Sequence, residues 1–313
     1  MSVVAAMLAA IAIIGLMLSA RNGRTPAPAR SRTTSPSTTT TKPDSRPYPV
    51  QTGSATFTDT SRQARVGGTD VPRSLVVDLW YPGGVSAGRF PLVVFAPGYL
   101  QCPEQYGPLL QAWAAAGFVV AGIRFPATNC SSARGDEADI VNQPADVATV
   151  ISGLTAGSGS APGIAEIDRT RIAVAGHSDG GDVAAVVVGA TCCRDQRVSA
   201  GLVMAGAELS SFGGAYFSGP TPPLLVVQGT ADTVNPASAA QALYAGDTSG
   251  QRWFLSLIGA GHLPPYQGSS SYEQVVARVT VDFLRLALDN DSAAGARMAS
   301  DGNVPGVAAV SSG

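Results

Sequence analysis

Short apolar segments alternate with longer amphipathic segments through most of this chain. Seven apolar segments rich in β-branched residues predict strands, at 74–81, 91–96, 118–125, 171–176, 199–206, 223–228 and 252–258. Five further segments predict helices, at 104–116, 143–155, 180–190, 236–245 and 272–289. Continuous apolar strands separated by helices are typical of a mostly parallel sheet with helices on both faces. We therefore expect an α/β fold whose ligand binds beyond the carboxyl ends of the strands.

The segments outside this pattern have a different composition. Residues 3–18 are apolar and uncharged, which predicts a signal peptide or membrane anchor over 1–20. Residues 21–50, rich in Thr, Ser, Pro and Arg, predict a disordered linker, and the Ala, Gly and Ser of 291–313 predict a flexible tail. The catalytic domain is then expected over 51–290. We expect it to be secreted or membrane-anchored, with the linker tethering it outside the cytoplasm to a membrane or cell wall.

The charge of the chain is low and unevenly distributed. Charged residues make up 13% of the sequence, and the net charge is −2. Residues 1–47 contain six basic residues and one acidic residue, a balance of +5, so the remainder carries −7. A mildly acidic domain lacks the basic surface that binds nucleic acid, and we expect no nucleic-acid partner. We expect the protein to be a monomer.

Four cysteines occur in the chain, at Cys102, Cys130, Cys192 and Cys193. They contain no C-x-x-C pair, which argues against a zinc or redox motif. An even number fits disulfides made in an oxidising compartment, although small buried thiols are the alternative. Of the three pairings we favour Cys102–Cys130 with Cys192–Cys193, because Cys102 and Cys130 would each follow a neighbouring strand of the sheet.

The segment RIAVAGHSDGG (171–181) indicates a nucleophilic serine. An apolar strand runs into the pattern G-x-S-x-G around Ser178, and a predicted helix follows. This strand–turn–helix context holds a serine hydroxyl above the sheet in a strained turn, and glycine is needed two residues to either side to avoid collisions. The helix amino terminus beneath it favours developing negative charge. Ser178 is therefore the predicted nucleophile.

A serine nucleophile needs a base, and the base needs an acid. The chain has two histidines, and His177 lies inside the turn with its side chain expected to point away. His262, just after the last predicted strand, is therefore the predicted base, the alternative being an ordinary loop histidine. Asp232, after strand 223–228, is the predicted acid and gives the chain order Ser…Asp…His. Glu208, after strand 199–206, is the alternative acid. We expect no metal and no organic cofactor, since two histidines cannot form a histidine-rich metal site.

Two backbone amides are expected to hold the oxyanion. One belongs to Asp179, the residue after the nucleophile, and the other to Tyr99 in the loop APGYLQC (96–102), with Leu100 as the second choice. The Tyr99 ring is also predicted to form an aromatic wall against substrate, the alternative being a packing role. Asp179 is the second predicted substrate contact.

Several segments together resemble a known group of enzymes. PLVVFAPGYLQCPEQYGPLLQAWAAAGFVVAGIRFP, NQPADVATVISGL, RIAVAGHSDGG, TCCRDQRVSAGLVMAG and GTADTVNP…GAGH resemble secreted actinobacterial α/β hydrolases of the dienelactone-hydrolase-like group. They are similar to plasma-type platelet-activating-factor acetylhydrolases and, more distantly, to cutinase-like polyester hydrolases. The resemblance spans roughly residues 70–288 and implies the α/β-hydrolase fold and ester hydrolysis through an acyl-enzyme.

One residue departs from the group's usual pattern. The relatives place Met, Leu, Phe or Gln after the nucleophile, where this chain has Asp179. A carboxylate beside a developing oxyanion is unfavourable unless it is solvated or paired. We hypothesise that Asp179 discourages anionic or long apolar acyl groups and tolerates polar or cationic ones.

The sequence therefore predicts a serine carboxylic ester hydrolase (an esterase or lipase, extending to polyesters) that acts on a small-molecule or polymeric ester. Two alternatives stay open. A serine peptidase or amidase of the same fold would use the same residues, because such a triad cleaves both bonds. A non-catalytic envelope binding protein would keep the fold but would not need the complete set of Ser178, Asp232 and His262.

Overall fold

Within the described residues, nine strands form a single sheet in the order β1-β2-β4-β3-β5-β6-β7-β8-β9. The computed structural model describes residues 46–84, 89–157, 162–248 and 250–313. The strands are β1 Val50–Val66, β2 Thr69–Pro82, β3 Phe90–Ala96, β4 Val119–Arg124, β5 Ile167–His177, β6 Ala200–Met204, β7 Leu224–Gly229, β8 Arg252–Leu257 and β9 Ala308–Ser312. Strands β3 to β8 are mutually parallel, whereas β1, β2 and β9 add antiparallel edges.

Helices cover both faces of this sheet. They are α1 Gly107–Ala115, α2 Gln143–Thr155, α3 Asp179–Gly189, α4 Ala237–Gly246, α5 Ser271–Asp289 and α6 Ser292–Gly302. The apolar side chains of α2, α3 and α4 belong to one core, and those of α1, α5 and α6 belong to the other. This arrangement confirms the predicted α/β fold, a mostly parallel sheet with helices on both faces.

Strand β3 shows why the central strands read as continuous apolar runs. Its seven residues are all buried, and successive side chains enter opposite cores because a strand has a period of two. Leu92 and Val94 pack in the α2–α4 core, whereas Val93 and Phe95 pack in the α1–α5 core. A strand with cores on both sides has no polar face.

The carboxyl end of the chain corrects the prediction of a flexible tail over 291–313. Residues 292–302 form α6, and β9 pairs antiparallel with β8 from Trp253–Ser312 to Leu257–Ala308. Small residues make this packing possible: a Cβ placed on Gly302 would lie 2.8 Å from the Val310 side chain. The composition that suggested a loose tail is what allows the helix and strand to approach closely.

The amino-terminal boundary also differs from the prediction. The expected linker extends to residue 50, but β1 begins at Val50 and pairs with β2 over most of its length. Most of its side chains are exposed, so the apolar alternation that marks a strand is weak here. The predicted signal or anchor over 1–20, and the linker up to residue 45, lie outside the described residues. In the part of the chain that is described, no helix combines the length and hydropathy needed to cross a membrane.

A buried ion network fixes the loop before α2 to the sheet. The Arg73 side chain on β2 is fully buried and donates two hydrogen bonds to each of two carboxylates, at 2.6 and 2.6 Å to Asp146 and at 2.9 and 2.7 Å to Asp139. Arg62 makes a second ion pair with Asp146 at 2.9 Å. Asp139 lies in a 3-10 turn over 137–142 that also carries Glu137. The network therefore holds in place a loop that borders the site described below.

Replacing Arg73 with methionine should lower the free energy of unfolding by about 3–5 kcal/mol, because Asp139 and Asp146 would lose the cation they were buried with. Denaturant unfolding monitored by circular dichroism measures this loss. The control is Arg65→Met, which breaks an exposed ion pair with Asp70 (side chains 63% and 55% exposed) and should cost less than about 1 kcal/mol. Equal losses in the two variants would contradict the assignment.

Candidate active site

Ser178 occupies a sharp turn between β5 and α3. The strand ends at His177, the helix begins at Asp179, and Ser178 between them has φ 56° and ψ −126°. Such a conformation is strained for a residue with a side chain. The Ser178 amide donates to the Met204 carbonyl at 3.0 Å, which ties the turn to the end of the neighbouring strand β6.

The two flanking glycines are sterically required. A Cβ on Gly176 would lie 1.8 Å from the carbonyl oxygen of Gly180, and a Cβ on Gly180 would lie 1.9 Å from that of Ala96. These oxygens belong to the backbone and cannot rotate away. The strand, the turn and the helix can therefore approach each other only if both positions lack side chains.

The structure brings Ser178, His262 and Asp232 together at the carboxyl ends of β5, β7 and β8. His262 Nε2 lies 3.0 Å from Ser178 Oγ, and His262 Nδ1 lies 2.7 Å from Asp232 Oδ2. The His262 side chain is 13% exposed and the Asp232 side chain 1%. One histidine ring thus connects the Ser178 hydroxyl to a carboxylate that is shielded from water.

The surroundings of Asp232 keep it ionised. Oδ1 accepts hydrogen bonds from the amides of Val234 and Asn235 at 2.9 Å each, and Oδ2 accepts one from Gln228 Nε2 at 3.2 Å in addition to its contact with His262. Burial by itself would raise the pKa of Asp232, but these hydrogen bonds outweigh burial and hold the pKa below its usual value. An ionised Asp232 can accept a hydrogen bond from the Nδ1–H group of His262.

Two backbone hydrogen bonds join the loop of Asp232 to the loop of His262. The Thr230 amide donates to the Leu257 carbonyl at 2.9 Å, and the Ala231 amide donates to the Ala260 carbonyl at 3.0 Å. Gly229 makes this approach possible, because a Cβ there would lie 2.4 Å from the Ala260 carbonyl oxygen. Glu208, the alternative acid, lies instead beside Gly246 at the end of α4.

His177 points away from Ser178, as its place in the turn predicts, and its side chain is fully buried. Nε2 lies 3.0 Å from the His262 carbonyl oxygen, which can only accept, so Nε2 carries the proton. Nδ1 then accepts from the Tyr106 hydroxyl at 2.9 Å, and that hydroxyl oxygen accepts from the Gly98 amide at 3.3 Å. Burial, then the nearby His262, lower the pKa of His177 to about 3, so the ring is neutral.

The backbone amides around Ser178 differ in whether they already have an acceptor. Leu100, the second choice, donates its amide to the Thr128 carbonyl at 2.8 Å, and the Gly98 amide is taken by Tyr106. The Tyr99 amide between them has no acceptor within the described part of the chain. Asp179 is the first residue of α3, where an amide has no partner inside the helix. A Cβ on Gly98 would lie 3.1 Å from Ser178 Cβ, so the two segments are in close contact.

The match to a family model now identifies the group. The model described as PET hydrolase-like matches residues 38–304. The chain belongs to the PET hydrolase-like family. This result confirms the α/β-hydrolase fold and the resemblance to polyester hydrolases.

A curated relative of this PET hydrolase-like protein is a bis(hydroxyethyl) terephthalate hydrolase from Streptomyces coelicolor (strain ATCC BAA-471 / A3(2) / M145). It is 29% identical over 217 residues, which cover 68% of this chain and 62% of the relative. The aligned part therefore spans less than two thirds of the relative's own length.

The buried polar chain behind the site was not foreseen from the sequence of this PET hydrolase-like protein. Tyr106 and Tyr266 are fully buried, and the Tyr266 ring lies 4.6 Å from that of His177. The Tyr106 and Tyr266 positions carry no local motif, because Tyr106 lies at the start of a helix and Tyr266 in a loop after β8. The signal that could have indicated their role is His177 itself, a buried histidine needing a partner for each ring nitrogen.

Both predicted disulfide pairs are found in the structure. Cys102 is bonded to Cys130, joining the loops that follow β3 and β4, and Cys192 is bonded to its neighbour Cys193 after α3. The first pair closes a loop of chain with a sequence separation of 28, whereas the second closes none. Cys102 also lies three residues after Tyr99, so the Cys102–Cys130 bond restrains the loop that supplies the unpaired Tyr99 amide.

Replacing Cys102 and Cys130 together with serine should lower the free energy of unfolding by about 2–4 kcal/mol, because the unfolded chain gains the freedom of an open loop. Thermal and denaturant unfolding measure the change. The matched control replaces Cys192 and Cys193 with serine, which frees no loop and should cost less than about 1 kcal/mol. A larger loss in the control would show that loop closure is not the cause.

Proposed function

We propose that this protein is a carboxylic ester hydrolase that acts through an acyl-enzyme. Ser178 is the nucleophile, His262 the general base and Asp232 the acid that orients it. The observation that carries the proposal is the continuous hydrogen-bonded line from Ser178 Oγ to His262 and on to Asp232, with distances of 3.0 and 2.7 Å. Membership in the PET hydrolase-like family supports the same reaction class.

The geometry supports two similar half-reactions. Ser178 Oγ attacks the ester carbonyl while its proton passes to His262 Nε2, and His262 then protonates the leaving alcohol. A water molecule next gives a proton to His262 and attacks the acyl-enzyme, which releases the acid and restores Ser178. Asp232 stabilises the imidazolium that forms in each half-reaction, and its lowered pKa keeps it in the charged form that this requires.

Both tetrahedral intermediates place a negative charge on the former carbonyl oxygen. The Tyr99 and Asp179 amides are the proposed donors to it, since Leu100 and Gly98 already donate elsewhere. The positive end of α3 acts in the same direction. Loss of one such donor costs an enzyme of this kind about 3–4 kcal/mol of transition-state stabilisation.

His177 and Tyr106 are positioning residues in this scheme. Tyr106 bonds to the Gly98 amide next to Tyr99, and His177 bonds to both Tyr106 and the His262 carbonyl. The proposed oxyanion donor and the proposed base are therefore positioned by the same buried pair of side chains. Because His177 is neutral, it adds no positive charge that would oppose protonation of His262 a few ångströms away.

The proposed substrate is a small or polymeric ester with an apolar body. Leu263 and Val234, close in sequence to His262 and Asp232, expose 40% and 62% of their surface. The relative's name assigns hydrolysis of bis(hydroxyethyl) terephthalate to that enzyme, which supports an ester of this type here. The Cys102–Cys130 disulfide supports a site of action outside the cytoplasm. The Tyr99 ring is proposed to contact the substrate, with its hydroxyl fixed to the Gly135 carbonyl at 3.0 Å.

Replacing Ser178 with alanine should abolish hydrolysis of 4-nitrophenyl esters and labelling by a fluorophosphonate probe, because among the described residues it is the Ser178 hydroxyl that lies within hydrogen-bond distance of His262 Nε2. Release of 4-nitrophenolate and mass spectrometry of the labelled protein measure the two effects. Retained hydrolysis in the purified, folded variant would refute the role of Ser178. Faster cleavage of aminoacyl 4-nitroanilides than of esters by the unmodified protein would favour a peptidase instead.

Replacing Asp232 with asparagine should lower kcat for a 4-nitrophenyl ester roughly 10³- to 10⁴-fold, because an amide there no longer stabilises the imidazolium or the required tautomer of His262. Steady-state kinetics measures the loss. The matched control is Glu208→Gln, which removes the alternative acid and should leave kcat within about twofold of the unmodified value. The opposite ranking of the two variants would transfer the role of the acid to Glu208.

A further inference from the structure

The carboxyl group of Asp179 has no evident task in the proposed reaction, although its amide has one. The side chain is half-buried, and its Oδ2 is fully shielded from solvent with no hydrogen-bond partner among the described residues. Buried polar atoms in native proteins are nearly always paired, and each exception needs an explanation. An unpaired carboxylate oxygen beside a nucleophile is a candidate for an electrostatic effect on the substrate.

The surroundings of Asp179 are acidic. Glu137 of the 3-10 turn over 137–142 and His262 of the loop after β8 act on it electrostatically. Asp179 in turn acts on Tyr106 and on Asp182, one turn further along α3. Of these groups only His262 can become a cation, and it does so transiently during the proposed reaction. The surroundings of Ser178 therefore have a negative charge whenever Asp179 is ionised.

Asp179 changes its charge within the ordinary working range of pH. Burial, reinforced by the negative charge of Glu137, raises the pKa of Asp179 to about 6. Burial raises the pKa of Asp182 to about 8, so Asp182, which accepts from the Ala207 amide at 2.6 Å, ionises later. Near pH 8 Asp179 is negatively charged, and near pH 5 it is mostly neutral.

From this arrangement we infer that Asp179 selects substrates by charge, disfavouring acyl groups that carry a negative charge and favouring those that carry a positive charge. The inference rests on the proposed function, since it concerns the acyl group bound at Ser178. Asp179 directly follows Ser178 in the chain, so its charge acts next to the acyl group that the proposed reaction places on Ser178 Oγ. At that distance and with partial exposure, one unit charge changes binding and transition-state energies modestly but measurably.

The test uses three 4-nitrophenyl esters that differ only in the charge at the far end of the acyl chain: neutral hexanoate, anionic adipate and cationic 5-(trimethylammonio)pentanoate. The unmodified protein at pH 8 is compared with Asp179→Asn, a neutral side chain of the same size. The kcat/KM ratio of adipate to hexanoate should rise roughly three- to tenfold in the variant, and the ratio of the cationic ester to hexanoate should fall by a similar factor. Intrinsic differences between the esters cancel when the two proteins are compared.

The matched control is Asp70→Asn, the same change on an exposed acid at the β1–β2 turn, which should leave both ratios unchanged. Ratios that are within twofold of the unmodified protein in Asp179→Asn would overturn the inference. Failure of all three esters to react with the unmodified protein would instead contradict the proposed function, and with it the inference.

A second measurement does not depend on whether Asp179→Asn folds. In the unmodified protein the ratio of the cationic ester to hexanoate should fall as the pH is lowered from 8 to 5, because Asp179 becomes neutral near pH 6 while the quaternary ammonium group keeps its charge. Any effect of pH on His262 is common to both esters and cancels in the ratio. A ratio that is flat between pH 8 and 5 would overturn the inference.

Discussion

The contact between Gly176 and Gly180 around Ser178 is the constraint on which the rest of the site depends. A strand, a turn with positive φ and a helix meet there at distances that exclude a single Cβ. This close approach places the Ser178 hydroxyl above the sheet and directs the amino terminus of α3 toward Ser178. The strain at Ser178 is offset by the surrounding parallel sheet, whose strands are buried on both faces and cannot shift to relieve it.

The sheet alone does not set the distances within the site, because the proposed catalytic groups lie on loops. The structure joins these loops in two places: behind the site, where His177 and Tyr106 connect the Gly98–Tyr99 segment to His262, and beside it, where backbone hydrogen bonds connect the loops of Asp232 and His262. A fully satisfied buried network of this kind favours one arrangement strongly, since any other leaves polar atoms unpaired. This network supports the contacts of His262 with Asp232 at 2.7 Å and with Ser178 at 3.0 Å.

Residues with a local signature could be predicted, and residues whose role arises from long-range contacts could not. The parallel strands were predictable because double burial produces apolar runs. The position of Ser178, Asp232 and His262 at one end of the sheet was predictable because each lies within five residues of the end of such a strand. Strand β1 was missed because most of its side chains face solvent, and α6 with β9 because their small residues indicated a loose tail. Tyr106 and Arg73 have no local sequence signal, since their importance comes from partners 71 residues and more than 60 residues away.

The distribution of charge around the site follows from where each acid is solvated. Four hydrogen-bond donors replace the water that Asp232 loses, and they hold its pKa below the usual value. For Asp179, burial outweighs the hydrogen bond from its own amide and the influence of His262, and its pKa is raised to about 6. The same type of side chain therefore behaves in two ways within one site. The acid proposed to stabilise His262 is paired and shielded, whereas the acid proposed to act on the charge of the substrate has one unpaired oxygen. Asp179 directly follows Ser178, so its charge acts next to the proposed nucleophile.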